Sequence, residues 1–488
     1  IYKKTMRQSR LVKRLENLDS RQKEQFSKFV NSPYFNQHDK TSKLLDLIYV
    51  ALEKNRSANL DREKIFQKLY PKEKYEEQRL HNVMSYLMRL YHRFLAVQRF
   101  EEQTFEEPIS TLEQAFKDSE LDVFTNRSKL FEKTAKDHAT PDTHFHHALF
   151  RYHTLRREYR VNNIKRSDEE SGHRWAKALD DYYILEKLQQ SCILRAHEMI
   201  MNTSYDFTLS NVVVDYVADN WTYYENNPTI AAYYTVLKML NDSNNDEHYQ
   251  YLKDLLLKKS NRYNYNDLNE LYNFASNYCI LKINTGNVAF QRELFDIYKQ
   301  TVKTETVLRN GKMTGWDYKN ISTLGCHLGE FNWTYHFIES HKDKLLQSHQ
   351  NNAYNYSLAY YHFTRKDYDE ASALLLQVQF TEMQYHMGGN LLLMRSYYEL
   401  ENLDALFSLL ESMRIYVIRS KKMTTKEKRG YKNLLRFAKK LVTIKNDKIA
   451  LTQKDFLKKV EKLQGEIKDT DNIYAKSWLA SKCSELVK

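Results

Sequence analysis

YNYSLAYYHFTRKDYDEASALLLQV, residues 354–378, is answered 34 residues later by GGNLLLMRSYYELENLDALFSLLES, residues 388–412. The two stretches share placement more than identity. Leu358 and Leu392, Phe363 and Tyr397, Ala371 and Ala405, Leu375 and Leu409, and Leu376 and Leu410 all stand 34 apart. Within each stretch apolar residues recur at steps of three and four, the spacing of a helix buried on one face. Asp367-Tyr368-Asp369-Glu370-Ala371 reads as a polar turn into a second helix. The repeating unit is therefore two helices.

The segment from Tyr354 to Val378 resembles the tetratricopeptide repeat in detail, and the 34-residue period is that family's period. Leu358-Ala359 stands where the first helix carries a large–small pair. Ala359 and Ala371 lie 12 apart, and small residues there let two helices approach closely. The second copy departs from the pattern: Leu393 takes the small position, no Pro closes the first copy after Val378, and the turn after Leu400 is one residue short. Upstream, Leu324-Gly325 stands another 34 residues back, with its turn Gly329-Glu330-Phe331 three residues early. The pattern gives two good copies over about 351–416, a degenerate one over 316–350 and a further one over 268–303. The whole chain is also similar to a group of uncharacterised bacterial helical-repeat proteins, which implies no activity. The resemblance implies an all-α fold, a right-handed α-solenoid of helical hairpins; the N-terminal helical subdomain before it is read from pattern alone.

Composition agrees with helices. The 488 residues include only 10 Gly and 5 Pro, against averages of about 7% and 5%, so there is little turn chemistry for a sheet. Hydrophobic residues at 42% are enough for a packed core. The four cysteines, Cys192, Cys279, Cys326 and Cys483, are widely spaced with no CxxC, which fits a reducing, cytoplasmic setting. No run of 18 apolar residues is present, so no transmembrane segment is expected. The chain opens at Ile1, and Tyr2-Lys3-Lys4 does not read as the start of a signal peptide.

Punctuation divides the chain into an N-terminal helical subdomain (1–100), a helical middle region (101–264), the repeats (265–416) and basic C-terminal helices (417–488). Four helices are expected between 20 and 100, the last on the stripe Leu80, Val83, Met84, Leu87, Leu90, Tyr91, Phe94 and Leu95. Residues 101–141 read as an ill-defined helical connection. Breaks are expected at 166–172, at 202–206 and at Asn226-Asn227-Pro228.

Catalytic signatures are missing from the sequence. Gly311-Lys312 is followed by Met313, without the upstream Gly or the Ser/Thr of a phosphate loop, and no GxGxxG, GxSxG or HExxH occurs. His144, His146, His147 and His153 cluster, but no acid or Cys completes a ligand set on one face, so neither metal nor cofactor is expected. The reading is a non-enzymatic adaptor that holds a partner protein or peptide. Placing the tetratricopeptide frame on Ala371 sends Tyr356, Tyr360, Asn390 and Met394 to the concave face as a partner-binding groove. The same side chains could instead pack against the helices after 424.

Charge supports a second reading. The net charge is +12, and residues 413–445 carry twelve basic residues against the single acid Glu427. Lys421, Lys422, Lys428, Arg429, Lys432 and Arg436 form a candidate polyanion site, opposite an apolar stripe of Leu434, Leu435, Phe437, Ala438, Leu441 and Val442. A smaller basic run holds Arg156, Arg157, Arg160, Lys165 and Arg166. Residues 60–100 are somewhat similar to the helix-turn-helix half of winged-helix regulators, without the β-hairpin wing. The alternative function is thus a nucleic-acid-associated regulatory protein. For the fold itself, circular dichroism is expected to give more than ~60% helix and less than ~5% strand, against a third and a quarter in ordinary domains; a substantial strand component would contradict the reading.

Overall fold

The computed structural model describes residues 5–53, 60–163, 169–201, 203–347, 350–378 and 383–487. Helix occupies 79% of the chain, and the only β pairing among the described residues is three isolated bridges. The chain divides into two compact units, Ile1–Lys187 and Leu188–Lys488. None of the described helices is long and apolar enough to cross a membrane.

The first unit opens with α1 (Arg10–Glu16), α2 (Ser20–Val30), α3 (Asp39–Glu53), α4 (Arg62–Leu69) and α5 (Glu77–Glu102). Local signals set their ends. Asp19 and Gln22 form a capping box on α2, Asp61 caps α4, and Pro71 follows its last turn. Leu15, Phe26, Leu45, Phe66 and Leu87 close one core with no exposure. Next come α6 (Glu106–Lys117), α7 (Leu121–Asp137) and α8 (Thr143–Asn163), then α9 (Glu169–Ile200), within which the division between units falls. The stretch 101–141, expected to be ill-defined, is two regular helices. Most of its acids face water, Glu106 and Glu113 pair with Arg151, and Ile109, Leu112, Phe124 and Phe131 are buried at helical spacing around Tyr152. The expected break at 166–172 is also shorter than it reads: Glu169–Gly172 are helical, and residues 164–168 lie outside the described residues.

The second unit continues through α10 (Thr208–Asp219), α11 (Trp221–Tyr224), α12 (Pro228–Asn241), α13 (Asp246–Lys258), α14 (Tyr265–Asn284) and α15 (Phe290–Lys303). It goes on with α16 (Gly315–His327), α17 (Phe331–His341), α18 (Gln350–Thr364), α19 (Tyr368–Leu376), α20 (Met383–Glu399) and α21 (Leu403–Arg419). It ends with α22 (Thr425–Asn446), α23 (Gln453–Asp469) and α24 (Lys476–Val487). From α12 to α21 the helices pack in consecutive pairs, and first helices also touch across pairs: α12 on α14, α16 on α18, α18 on α20.

The pairs from α14 to α21 share one turn. A residue with positive φ follows each first helix: Gly286 (99°), Gly329 (77°), Lys366 (69°) and Glu401 (56°). Its own N–H and that of the next residue reach back to the helix end. Lys366 donates to the Phe363 carbonyl and Asp367 to that of His362; Glu401 and Asn402 repeat this on Tyr398 and Tyr397. These are the two bonds of the Schellman motif, which satisfies the last carbonyls while turning the chain.

The turn corrects the register read from the sequence. From Gly329 to Lys366 is 37 residues and from Lys366 to Glu401 is 35, so the last turn is one residue longer than the period, not shorter. Buried positions keep step with the turn. Thr334 and Ile338, Ala371 and Leu375, and Leu406 and Leu410 are equivalent, while Ala405 and Leu409 are only half-buried. Where helices touch, space is small: a Cβ on Gly325 would overlap the Thr334 hydroxyl and lie 3.0 Å from the Phe295 ring.

Two substitutions test these contacts. Ala371 is fully buried, so Ala371→Phe is expected to overpack the site and cost about 1–3 kcal/mol, read as a lower denaturation midpoint. Gly325→Ala should also lower it. Leu376→Ala, at a side chain 66% exposed, is the near-neutral control. An unchanged midpoint for Ala371→Phe would contradict the assignment of that contact.

Candidate functional site

The expected groove residues do not face outward. Tyr356 and Asn390 are buried, Met394 has no exposure, and only Tyr360 is half-buried. Tyr356 lies with Ala359, Leu375, Val378 and Leu392, its hydroxyl 3.3 Å from where a Cβ on Gly388 would sit. Met394 belongs to a core with Met413, Leu434, Phe437 and Leu463. The Asn390 amide nitrogen sits 3.1 Å from His386 Nδ1 one helical turn away, and His386 stacks on Tyr416. For Met394 the physical reason is the apolar stripe of α22 and α23, which packs on the α20–α21 pair; Tyr356 is enclosed instead by residues of α19 and α20.

The basic segment does face outward. Lys421 and Lys422 precede α22, whose start is held by a Thr424–Glu427 capping box. Leu434, Leu435, Phe437, Ala438, Leu441 and Val442 are buried, while Lys421, Lys422, Arg429, Lys432 and Arg436 are exposed and Lys428 is half-buried. Arg429, Lys432, Arg436 and Lys439 recur at steps of three and four, a stripe about 15 Å long. Among the described residues no carboxylate lies within 4.0 Å of the six candidate cations. Lys428 Nζ instead approaches the Ile418 carbonyl at 3.5 Å, and the Arg436 guanidinium lies 4.5 Å from the Phe437 ring centre. Neighbouring cations are paired: Lys440 with Glu466, and Lys445 with Glu401 at 2.9 Å. The smaller run is partly engaged. Arg156 meets Glu132 at 3.7 Å and Arg157 covers Trp175; Lys165 and Arg166 lie outside the described residues.

The histidines are dispersed in role. His146 is buried, and burial holds its imidazole below the usual pKa, while His147 packs on Tyr182. Among the described residues no three His, Cys, Asp or Glu side chains converge as a metal site would need. In residues 60–100, α5 runs on to Glu102 and α6 begins at Glu106, so no wing comes after it among the described residues. A cleft of about 580 Å³ lies beside the start of α3. Its Lys40 and Arg79 cover Tyr70 at 3.9 and 4.3 Å, and Arg79 also pairs with Glu73.

A surface that sequence reasoning missed runs along α14. Asn269, Asn273 and Asn277 stand at steps of four and line a cleft of about 170 Å³ with Asn320 and Trp316 of α16. These four carboxamides and the Trp316 indole N–H make no hydrogen bond to the described residues. Asn273 and Asn277 are exposed, and Trp316 is 49% exposed. Lys319 sits 4.7 Å above the Trp316 ring. The acid of the cleft, Asp317, accepts the Thr314 hydroxyl at 2.6 Å within the cap of α16. Arg309 stands at the rim on an Asn310-Gly311 turn, both residues with positive φ, closed by Arg309–Lys312 backbone bonds of 2.7 and 3.0 Å. Beyond Asn277 and Ile280, which belong to both, the cleft continues into an apolar pocket of about 230 Å³ holding Met199, Ile200, Met239 and Phe274. The signal was present in the sequence as three asparagines four apart.

Compared with known protein families, curated proteins and solved structures, the chain matches none.

The exposure of the α22 stripe yields a direct expectation. Changing Lys421, Lys422, Lys428, Arg429, Lys432 and Arg436 together to Glu should leave the thermal midpoint within a few degrees, because exposed charges contribute within about ±0.5 kcal/mol each. Loss of cooperative unfolding would mean that the stripe is part of the packing.

Proposed function

We propose that this chain is a non-enzymatic helical-repeat adaptor of tetratricopeptide-like type, its hairpins stacked as a right-handed solenoid, which holds a segment of a partner protein along α14. One observation carries this: a row of carboxamides with no hydrogen-bond partner among the described residues, beside an open apolar pocket. Amide, indole and guanidinium groups bind by hydrogen bond and charge and do not change protonation state near neutral pH. Apolar contact supplies affinity while the amides set geometry, the division of labour found in binding sites. Its four cysteines are unbonded and buried, which suits a reducing cytoplasm.

A second reading rests on the α22 stripe. Exposed cations without carboxylate partners among the described residues suit a polyanion, and the alternative is a nucleic-acid-associated regulator. Binding to phosphates releases counterions and weakens steeply with salt, whereas capture through amides and an apolar pocket does not. The test is a pull-down on the intact chain from native lysate, with and without nuclease, at low and high salt. Adaptor function predicts protein partners that survive nuclease and salt and are lost with Asn273→Ala/Asn277→Ala. Retention of nucleic acid alone, abolished by the six-residue reversal, would replace it with the second reading.

A further inference from the structure

The geometry points to an extended peptide strand as the occupant of the α14 groove, with an apolar side chain at one end and a carboxylate about seven residues away. This rests on the adaptor reading and adds what the partner segment must look like. We infer it from three features of the groove.

The first is spacing. Residues four apart on a helix rise about 6 Å, and every second residue of an extended chain rises about 6.6 Å. Asn269, Asn273 and Asn277 therefore meet successive equivalent peptide groups of a strand laid along α14. Each carboxamide offers both a donor and an acceptor, so it can pair with the N–H and the C=O of one residue. A helical ligand already uses those groups internally, which leaves the row unmatched.

The second is polarity along the groove. The end near Ile280 and Leu281 opens into the Met199, Ile200, Met239 and Phe274 pocket, where Ile200 is 77% exposed. Methionine side chains adapt to different apolar shapes. The other end carries Arg309. The Tyr265 hydroxyl donates to the Leu308 carbonyl, which fixes Arg309 near the start of α14. No carboxylate among the described residues lies within 4.0 Å of its guanidinium, and the tight Asn310-Gly311 turn fixes its backbone at the rim. A strand with a carboxylate there gains a charge-assisted contact.

The third is length. From Ile280 to Tyr265 is fifteen residues of α14, about 22 Å. An extended chain covers that in about seven residues. The occupant thus pairs an apolar residue with Asp or Glu at that separation.

The experiment is selection of a displayed random twelve-residue peptide library on the intact chain, followed by affinity measurement of the enriched peptides. Expected is enrichment of an apolar residue and an acid six to eight positions apart. Asn273→Ala/Asn277→Ala should weaken binding at least about tenfold with an unchanged thermal midpoint. Arg309→Glu should shift the selected acid to Lys or Arg, and this second variant decides the matter if the asparagine pair fails to fold. Enriched peptides that bind equally well to both variants, or that show the three-and-four spacing of an amphipathic helix, overturn the extended occupant and leave the adaptor reading on another surface. A library with no enriched peptide, together with salt-sensitive binding of duplex DNA or single-stranded RNA, overturns both.

Discussion

From α14 to α21, each first helix must hand the chain to its partner within a few residues, and the second half of the molecule hangs on how that is done. The solution is one left-handed residue and two backbone hydrogen bonds, at Gly286, Gly329, Lys366 and Glu401. Lys366 and Glu401 adopt that conformation with a side chain, at a cost of about 1–2 kcal/mol each. They hold it because the bonds to the helix end and the packing beyond offset the strain. The turn also sets the phase of the second helix. Five and nine residues after it come Thr334 and Ile338, then Ala371 and Leu375, then Leu406 and Leu410, all buried. The turn, and not the 34-residue count, is the origin from which the second helix is measured.

That explains which parts of the fold were legible in the sequence. Helices could be read because their apolar stripes are local: Leu80 to Leu95 predicts α5, which buries the stripe except for Val83, half-buried, and Leu95, 41% exposed. The register of α21 could not, because one added residue before Glu401 moves every buried position while leaving the composition unchanged. Residues 101–141 looked ill-defined because acids on the exposed face dilute the stripe of Ile109, Leu112, Phe124 and Phe131. The groove was misassigned for a different reason. A repeat frame fixes which side of a helix a residue occupies, and it is silent on what later chain covers that side. Only the tertiary structure has Phe437 and Leu463 in the core that encloses Met394.

The C-terminal helices join two properties that the sequence presents separately. Their apolar stripes cap the core of α20 and α21. Such a cap needs a polar outer face, but any mixture of signs would keep it soluble. Here the segment 413–445 holds twelve cations and one acid, and the stripe on α22 lacks carboxylate partners among the described residues. Capping accounts for the polarity of this face and leaves its sign unaccounted for, which is why the polyanion reading remains the second one.

The first helices of the pairs meet three fates, and the difference between them separates stability from recognition. Met394 and Asn390 are enclosed as core, Tyr356 is packed against neighbouring pairs, and Asn269, Asn273 and Asn277 are left lining an open cleft. A side chain in either of the first two groups cannot change without disturbing packing, because it fills space between helices. An amide with no hydrogen-bond partner among the described residues leaves none of their donors or acceptors unpaired when it is removed. Its contribution can then be measured in binding without a stability term to subtract, which is not true of Tyr356 or Met394. The proposed recognition can therefore be dissected on α14, where Asn269, Asn273 and Asn277 line the cleft, whereas Tyr356 on α18 and Met394 on α20 fill space between helices and cannot be changed without disturbing the fold.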